Sequence, residues 1–315
     1  MERTISIKKP TKKQIDRLTR WILLSFTLIS SSFIFIVAGV IILKGVTPFI
    51  TNNQGLGPVN LFKFLTNDTW LIGESFNSNQ YAVGFIILYT LEIAFLSLLI
   101  SLPVGVLTAL FIAKIAPKKL AETLRTVIEL LASIPSIIYG LFGAGIILSL
   151  VYNFSSLIGY QSKGGNSVIS SVLVLAIMTI PTITSISEVA IRSVDQSLEH
   201  ASLALGASKT QTHFKVVLTA AKSGIFTSAI LGIGRVLGEA TAVSLVAGGR
   251  RSGFSFNIFD TTSTLTTIML EGMKETTGLD YDIRFSVGII LMAVIIITNI
   301  TLNLVKKMVG GIDVK

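Results

Sequence analysis

The chain has 315 residues, of which 51% are hydrophobic and 14% charged, and its mean hydropathy of +0.75 lies far from the balance of a soluble domain. Cysteine is absent, which excludes disulfides, thiolate metal sites and cysteine nucleophiles; His200 and His213 are the only histidines, too few for a histidine-built metal centre. A formal net charge of +9 would point to nucleic acid in a soluble protein, but here its distribution along the chain points to orientation in a bilayer.

A basic, polar arm, 1–20, comes first, followed by the segment 21–43, which lacks a small-residue cleavage site and is expected to stay as a helix. Segments 82–113, 126–150, 168–191, 224–247 and 286–305 also reach the ~20 apolar residues a bilayer crossing requires. The second is too long for one straight crossing, so Pro103 is expected to kink it or to end its membrane part. Pro135 and Pro181 fall inside the third and fourth spans, where neighbouring helices can satisfy the freed carbonyls.

The basic residues set the orientation. Eighteen of the 26 Lys and Arg lie in 1–20, 114–125, 192–223 and 306–315, against seven in 44–81, 151–167 and 248–285; Arg235 is the remaining one. The richer set is cytoplasmic, and with it both termini. Outside, Asn52, Asn53, Gly55, Gly57 and Pro58 predict turns, and 264–271 predicts a short helix at the outer mouth. No internal repeat or flexible linker interrupts 21–305, which reads as a single membrane domain followed by a cytoplasmic tail, 306–315.

Within the cytoplasmic loop 192–223, Asp195 is placed to cap a helix over 197–205, and Gly206 sits where that helix would end. Ser208 with Gln211 predicts a capping box for a second helix, whose apolar face is Phe214, Val217, Leu218 and Ala221. Helix, glycine and helix make either an amphipathic loop on the membrane surface or a knob that enters a groove on a partner.

The fifth span carries Gly234-Arg235-Val236-Leu237-Gly238-Glu239. A charge at the centre of a span costs roughly 2.5–3.5 kcal/mol on insertion scales, so a role is the default explanation. Arg235 and Glu239 are four residues apart and are expected to pair along one helix face, while Gly234 and Gly238 form a GxxxG that favours close helix packing. Two readings stand: a structural ion pair, or an Arg235 that offers a planar guanidinium to a passing oxyanion, with Glu239 moderating the attraction so that the anion is released. Glu129 and Glu188 lie near cytoplasmic ends; Glu92 sits deeper, in reach of Arg235, another helix or a subunit interface.

The loop resembles the coupling loop of bacterial ABC-importer permeases, whose pattern is Glu-Ala-Ala, three residues, Gly, then a hydrophobic run ending in Leu-Pro. Ala201, Gly206 and Leu218 match in place; His200 takes the Glu position with Glu199 beside it, Ser202 replaces the second Ala and Thr219 the Pro. The stretch Gly234 to Val243 resembles the fifth-span motif of phosphate ABC-transporter permeases of the PstC type, with Ala240 in place of the usual Thr. The stretches 131–143 and 264–271 agree with that type, and the similarity runs from about Tyr81 to the end of the sixth span.

The resemblance implies an all-α integral membrane protein of the plasma membrane with the type I ABC importer permease (MetI-like) fold, six transmembrane helices and cytoplasmic N- and C-termini. It implies phosphate import, with Arg235 and Glu239 on the translocation path and Glu199, His200, Ala201, Gly206 and Leu218 in the ATPase-coupling loop. Implied partners are a homologous permease (PstA-like), a dimeric ATPase (PstB-like) and an extracytoplasmic phosphate-binding protein (PstS-like). No Walker A pattern occurs, so the chain is expected to bind no cofactor and to be no enzyme, ATP being hydrolysed by a partner. The rivals are a permease for sulfate or molybdate, a proton-coupled carrier using Glu92, Arg235 and Glu239, and a non-transporting scaffold. Six spans without an inverted repeat speak against the carrier.

Overall fold

The computed structural model describes residues 12–71 and 81–310. The start of the basic arm, residues 72–80 of the first outer segment and the end of the tail lie outside the described residues. Helices α1 (Lys12–Ile50), α2 (Leu61–Thr66) and α3 (Gly84–Leu110) open the chain, and α3 continues into a π-helical turn, Phe111–Ile115. After α4 (Lys118–Ser133), α5 (Ser136–Phe142), a π-helical turn Gly143–Ile147 and α6 (Leu148–Leu157) form one rod. Then come α7 (Val168–Arg192), α8 (Gln196–Ala204) and α9 (Lys209–Gln211), the last running through a π-helical turn, Thr212–Val217, into α10 (Leu218–Leu237). Two short helices, α11 (Thr241–Ser244) and α12 (Leu265–Leu270), precede α13 (Leu279–Gly310).

Six rods among the described residues are long and apolar enough to span: Asp16–Ile50, Gly84–Ile115, Ser136–Leu157, Val168–Arg192, Lys209–Leu237 and Leu279–Met308. The most buried is α7, which packs against α3, α10 and α4. Gly105 of α3 lets that contact close, because a Cβ there would lie 2.7 Å from Ile183. Around the rim, α1 lies along α13 and exposes Phe26, Phe33 and Phe35 to what would be lipid.

Two of the expected spans need correction, the third and the fifth, while the second is continuous. At Pro103 the helix α3 runs on without a break, with Pro103 exposed while Ser101 and Gly105 are buried. The third span is Ser136–Leu157 rather than 126–150, and Pro135 starts it instead of interrupting it. A proline disfavours helical geometry in the residue before it, and Ile134 is accordingly extended (ψ 128°), which separates α4 from the span. The fifth span stops at Leu237 rather than 247, and the second helix of the cytoplasmic loop is the continuous lower part of that same rod.

On the outer side the expected short helix exists as α12. Thr264 Oγ1 accepts from Thr267 N at 3.3 Å and Thr267 Oγ1 accepts from Thr264 N at 2.9 Å, a capping box. The far end of α12 is closed by Arg284, 1% exposed, which donates to the carbonyls of Ile268 (2.8 Å) and Glu271. Tyr89 and Thr90 of α3 accept from the backbone of Ser255 and Leu265 at 2.9 and 3.0 Å, so the outer loops are tied to the second span. Burial pushes the Asp260 carboxyl up, but the hydrogen bond from Tyr160 and the charge of Arg250 outweigh it and hold it below the usual range.

The absence of cysteine makes the orientation directly testable. Thr210→Cys, exposed on α9, should resist an impermeant thiol reagent in intact cells, whereas Ser252→Cys, exposed in the outer segment, should react. Labelling in the reverse order would invert the topology.

Candidate functional site

The cytoplasmic knob is built by local capping. Asp195 Oδ1 accepts from Ser197 N at 2.8 Å, and this bond to the charged form lowers the carboxyl's pKa. Helix α8 then ends in a Schellman turn: Ala207 N donates to Ser202 O (3.2 Å) and Gly206 N to Leu203 O (3.0 Å), with Gly206 at φ +84°. Ser208 and Gln211 form the expected capping box. His200, Ala201, Leu205 and Gly206 are exposed, Leu205 at 90%, whereas Leu218 is half-buried. Between α8, the end of α7 and the start of α10 lies an open groove of about 960 Å³ lined by Leu198, Lys215, Thr219 and Lys222.

Glu199 does not join this exposed face. It forms an ion pair with Lys114, in the π turn that ends α3, with the two side chains 16% and 13% exposed. Ser202, which departs from the coupling-loop pattern, shares a 2.9 Å hydroxyl–hydroxyl bond with Thr212. Nearby, Glu188 (5% exposed) accepts from Arg125 Nη2 at 2.6 Å and from Arg192 Nε at 2.7 Å, and Arg192 also donates to Ile112 O at 3.2 Å. Of these pairs only Glu188–Arg192, four residues apart on α7, is visible as spacing in the sequence; Lys114–Glu199 and Arg125–Glu188 join distant stretches. Glu188 thus ties α4 to the end of α7 through Arg125 and Arg192.

The upper site is rearranged relative to the spacing argument. Arg235 is on the last turn of α10, but Glu239 lies beyond the helix end and the two do not pair. Glu239 Oε1 instead accepts from Ala242 N at 3.0 Å, starting α11, and its carbonyl accepts from Thr266 Oγ1 at 2.8 Å. Arg235 Nη1 donates to Thr182 Oγ1 of α7 at 2.7 Å; among the described residues it has no ion pair. Glu92 does not reach it either, and its buried Oε2 has no partner among them. The GxxxG expectation also fails within the chain: a Cβ at Gly234 would meet nothing within 4 Å, and Gly238 is exposed. Together with Leu231, 51% exposed, the two glycines give α10 an open face flanked by the Arg235 guanidinium. A guanidinium without a carboxylate partner has planar donors of the kind that can bind an oxyanion.

The family described as "Binding-protein-dependent transport system inner membrane component" matches residues 101–310. The chain is 37% identical to the probable ABC transporter permease protein YqgH of Bacillus subtilis over 79% of this chain and 77% of that one. It is 31% identical to the phosphate transport system permease protein PstC of Pasteurella multocida, with 81% of each chain covered. Among solved structures, a bacterial alginate ABC transporter in complex with its pentasaccharide-bound periplasmic protein aligns over 94% of this chain and 97% of its own, at TM-score 0.64 and 17% identity. The MetNI methionine ABC transporter in an inward-facing form aligns over 72% of this chain and 94% of its own, at TM-score 0.53 and 21% identity. At these identities the solved structures speak to the fold alone.

Proposed function

This chain belongs to the family of binding-protein-dependent transport system inner membrane components, and we propose that it is the PstC-type pore subunit through which an ATP-driven importer moves inorganic phosphate. It is an ABC importer permease with the type I (MetI-like) fold, and it sits in the plasma membrane as a multi-pass protein. The substrate is the step beyond that. The reading rests on one observation above the others: Arg235 stands beside an open face of α10 with a neutral hydroxyl, not a carboxylate, as its partner. A half-buried cation within a span that has no counter-ion is expensive, so a site that keeps one is suited to an anion that arrives and leaves. The kinship to a phosphate permease at 31% identity points to the same cargo.

In this reading α8 and its exposed Leu205 meet an ATPase of the PstB type, a PstA-like permease covers the open face of α10, and a PstS-like binding protein delivers phosphate from outside. The chain binds no cofactor, and ATP is hydrolysed by the partner. The test is uptake of radiolabelled phosphate by the reconstituted complex in liposomes. Uptake should require ATP, ignore a protonophore and withstand excess sulfate or molybdate. Sulfate or molybdate uptake displacing phosphate would transfer the chain to another oxyanion; uptake driven by a proton gradient without ATP would make it a carrier.

A further inference from the structure

Helix α8 is unusual in how it is held. None of its residues is fully buried, and Leu198 and Leu203 stay 46% and 40% exposed, so apolar burial alone seats it only weakly on the spans. Two polar contacts add to this. On one side Glu199 pairs with Lys114; on the other the Ser202 hydroxyl meets that of Thr212, which is 1% exposed. Both partners lie in π-helical turns, Lys114 in Phe111–Ile115 at the foot of α3 and Thr212 in Thr212–Val217 at the foot of α10. Such turns are rare within α-helices and concentrate at functional positions. The first is itself anchored, since the Ile112 carbonyl accepts from Arg192, whose other partner Glu188 also holds Arg125 of α4.

We infer that Lys114 and Glu199 form a strut that makes α8 a rigid extension of α3, as the Ser202–Thr212 bridge does for α10, so that a displacement of α8 moves both spans together. This rests on the reading above that α8 is where the ATPase docks. It assigns Glu199 a positioning role inside the chain rather than a contact with the partner. The pair is shielded from water, so it is less screened than a surface ion pair and holds a defined geometry. Without it, a nine-residue helix with no fully buried side chain would rock on its loops, and ATP would be hydrolysed without moving α3.

The experiment uses the full complex in liposomes, with ATPase recruitment, ATP hydrolysis and phosphate carried per ATP as separate readouts. Lys114→Gln should keep recruitment and hydrolysis but carry roughly tenfold less phosphate per ATP, the scale of one lost charge-assisted hydrogen bond. Exchanging the charges, Lys114→Glu with Glu199→Lys, should restore the ratio. In this cysteine-free chain, Lys114→Cys with Glu199→Cys, joined by a short bifunctional thiol reagent, should also transport, because a strut need not open during turnover. Normal transport by Lys114→Gln, loss of recruitment in it, failure of the charge exchange, or arrest by the cross-link would each overturn the strut. Leu205→Asp separates the underlying reading. If it recruits the ATPase normally, α8 is not the docking element and the strut falls with it; if it loses recruitment, the four outcomes above judge the strut alone.

Discussion

Arg235→Gln should reduce phosphate uptake by about a hundredfold or more, the scale seen when a donor to a transferring oxyanion is removed, while membrane level and ATPase recruitment stay native. The guanidinium has a single neutral hydrogen-bond partner, Thr182 Oγ1, and no carboxylate beside it among the described residues. Removing it therefore leaves no orphaned counter-ion, and folding should not suffer as it would on breaking a buried ion pair. Arg235→Lys should keep part of the activity, because it retains the charge but loses the planar fork. Adding Glu239→Gln to Arg235→Gln should restore nothing, since the Glu239 carboxylate serves the backbone of α11 instead of Arg235. Uptake normalised to protein in the membrane decides the matter. Recovery in the double variant would show that the two charges matter to each other after all and would remove Arg235 from the anion path.

The second large effect is expected at Gly206. Its φ of +84° is a left-handed conformation, and a Cβ there would meet nothing within 4 Å, so any penalty comes from the backbone and not from crowding. A β-branched residue in that region is strained by about 1–2 kcal/mol or more. Gly206→Val should relieve that strain by opening the Schellman turn, which releases the Ser202 and Leu203 carbonyls and re-aims α8 relative to α9. The variant should reach the membrane yet carry little phosphate for the ATP consumed, or lose the ATPase altogether. Gly206→Asn, a residue that tolerates the left-handed region, should retain most activity. Native transport by Gly206→Val would sever the link between this turn and coupling.

The local features of this protein were legible in its sequence because the residues that cause them are neighbours. A span is a sum of hydropathy over about twenty positions, its orientation follows from the basic residues at its ends, and the caps at Asp195, Gly206 and Ser208–Gln211 each involve groups within five residues of one another. Composition and the stretch from Gly234 to Val243 were likewise enough to suggest the family.

Tertiary structure alone decided the rest. Hydropathy could not distinguish the apolar side of amphipathic α4 from the start of the third span; the extended Ile134 before Pro135 divides them. The spacing of Arg235 and Glu239 implied a pair only on the premise of an unbroken helix, and α10 ends between them. The true partner, Thr182, lies 53 residues away, and Lys114 is 85 residues from Glu199. Which side chains meet across such separations depends on how each rod is rotated about its axis. That rotation is set by packing at close contacts such as Gly105 against Ile183 and by the extra residue in each π turn, neither of which any short stretch of sequence encodes.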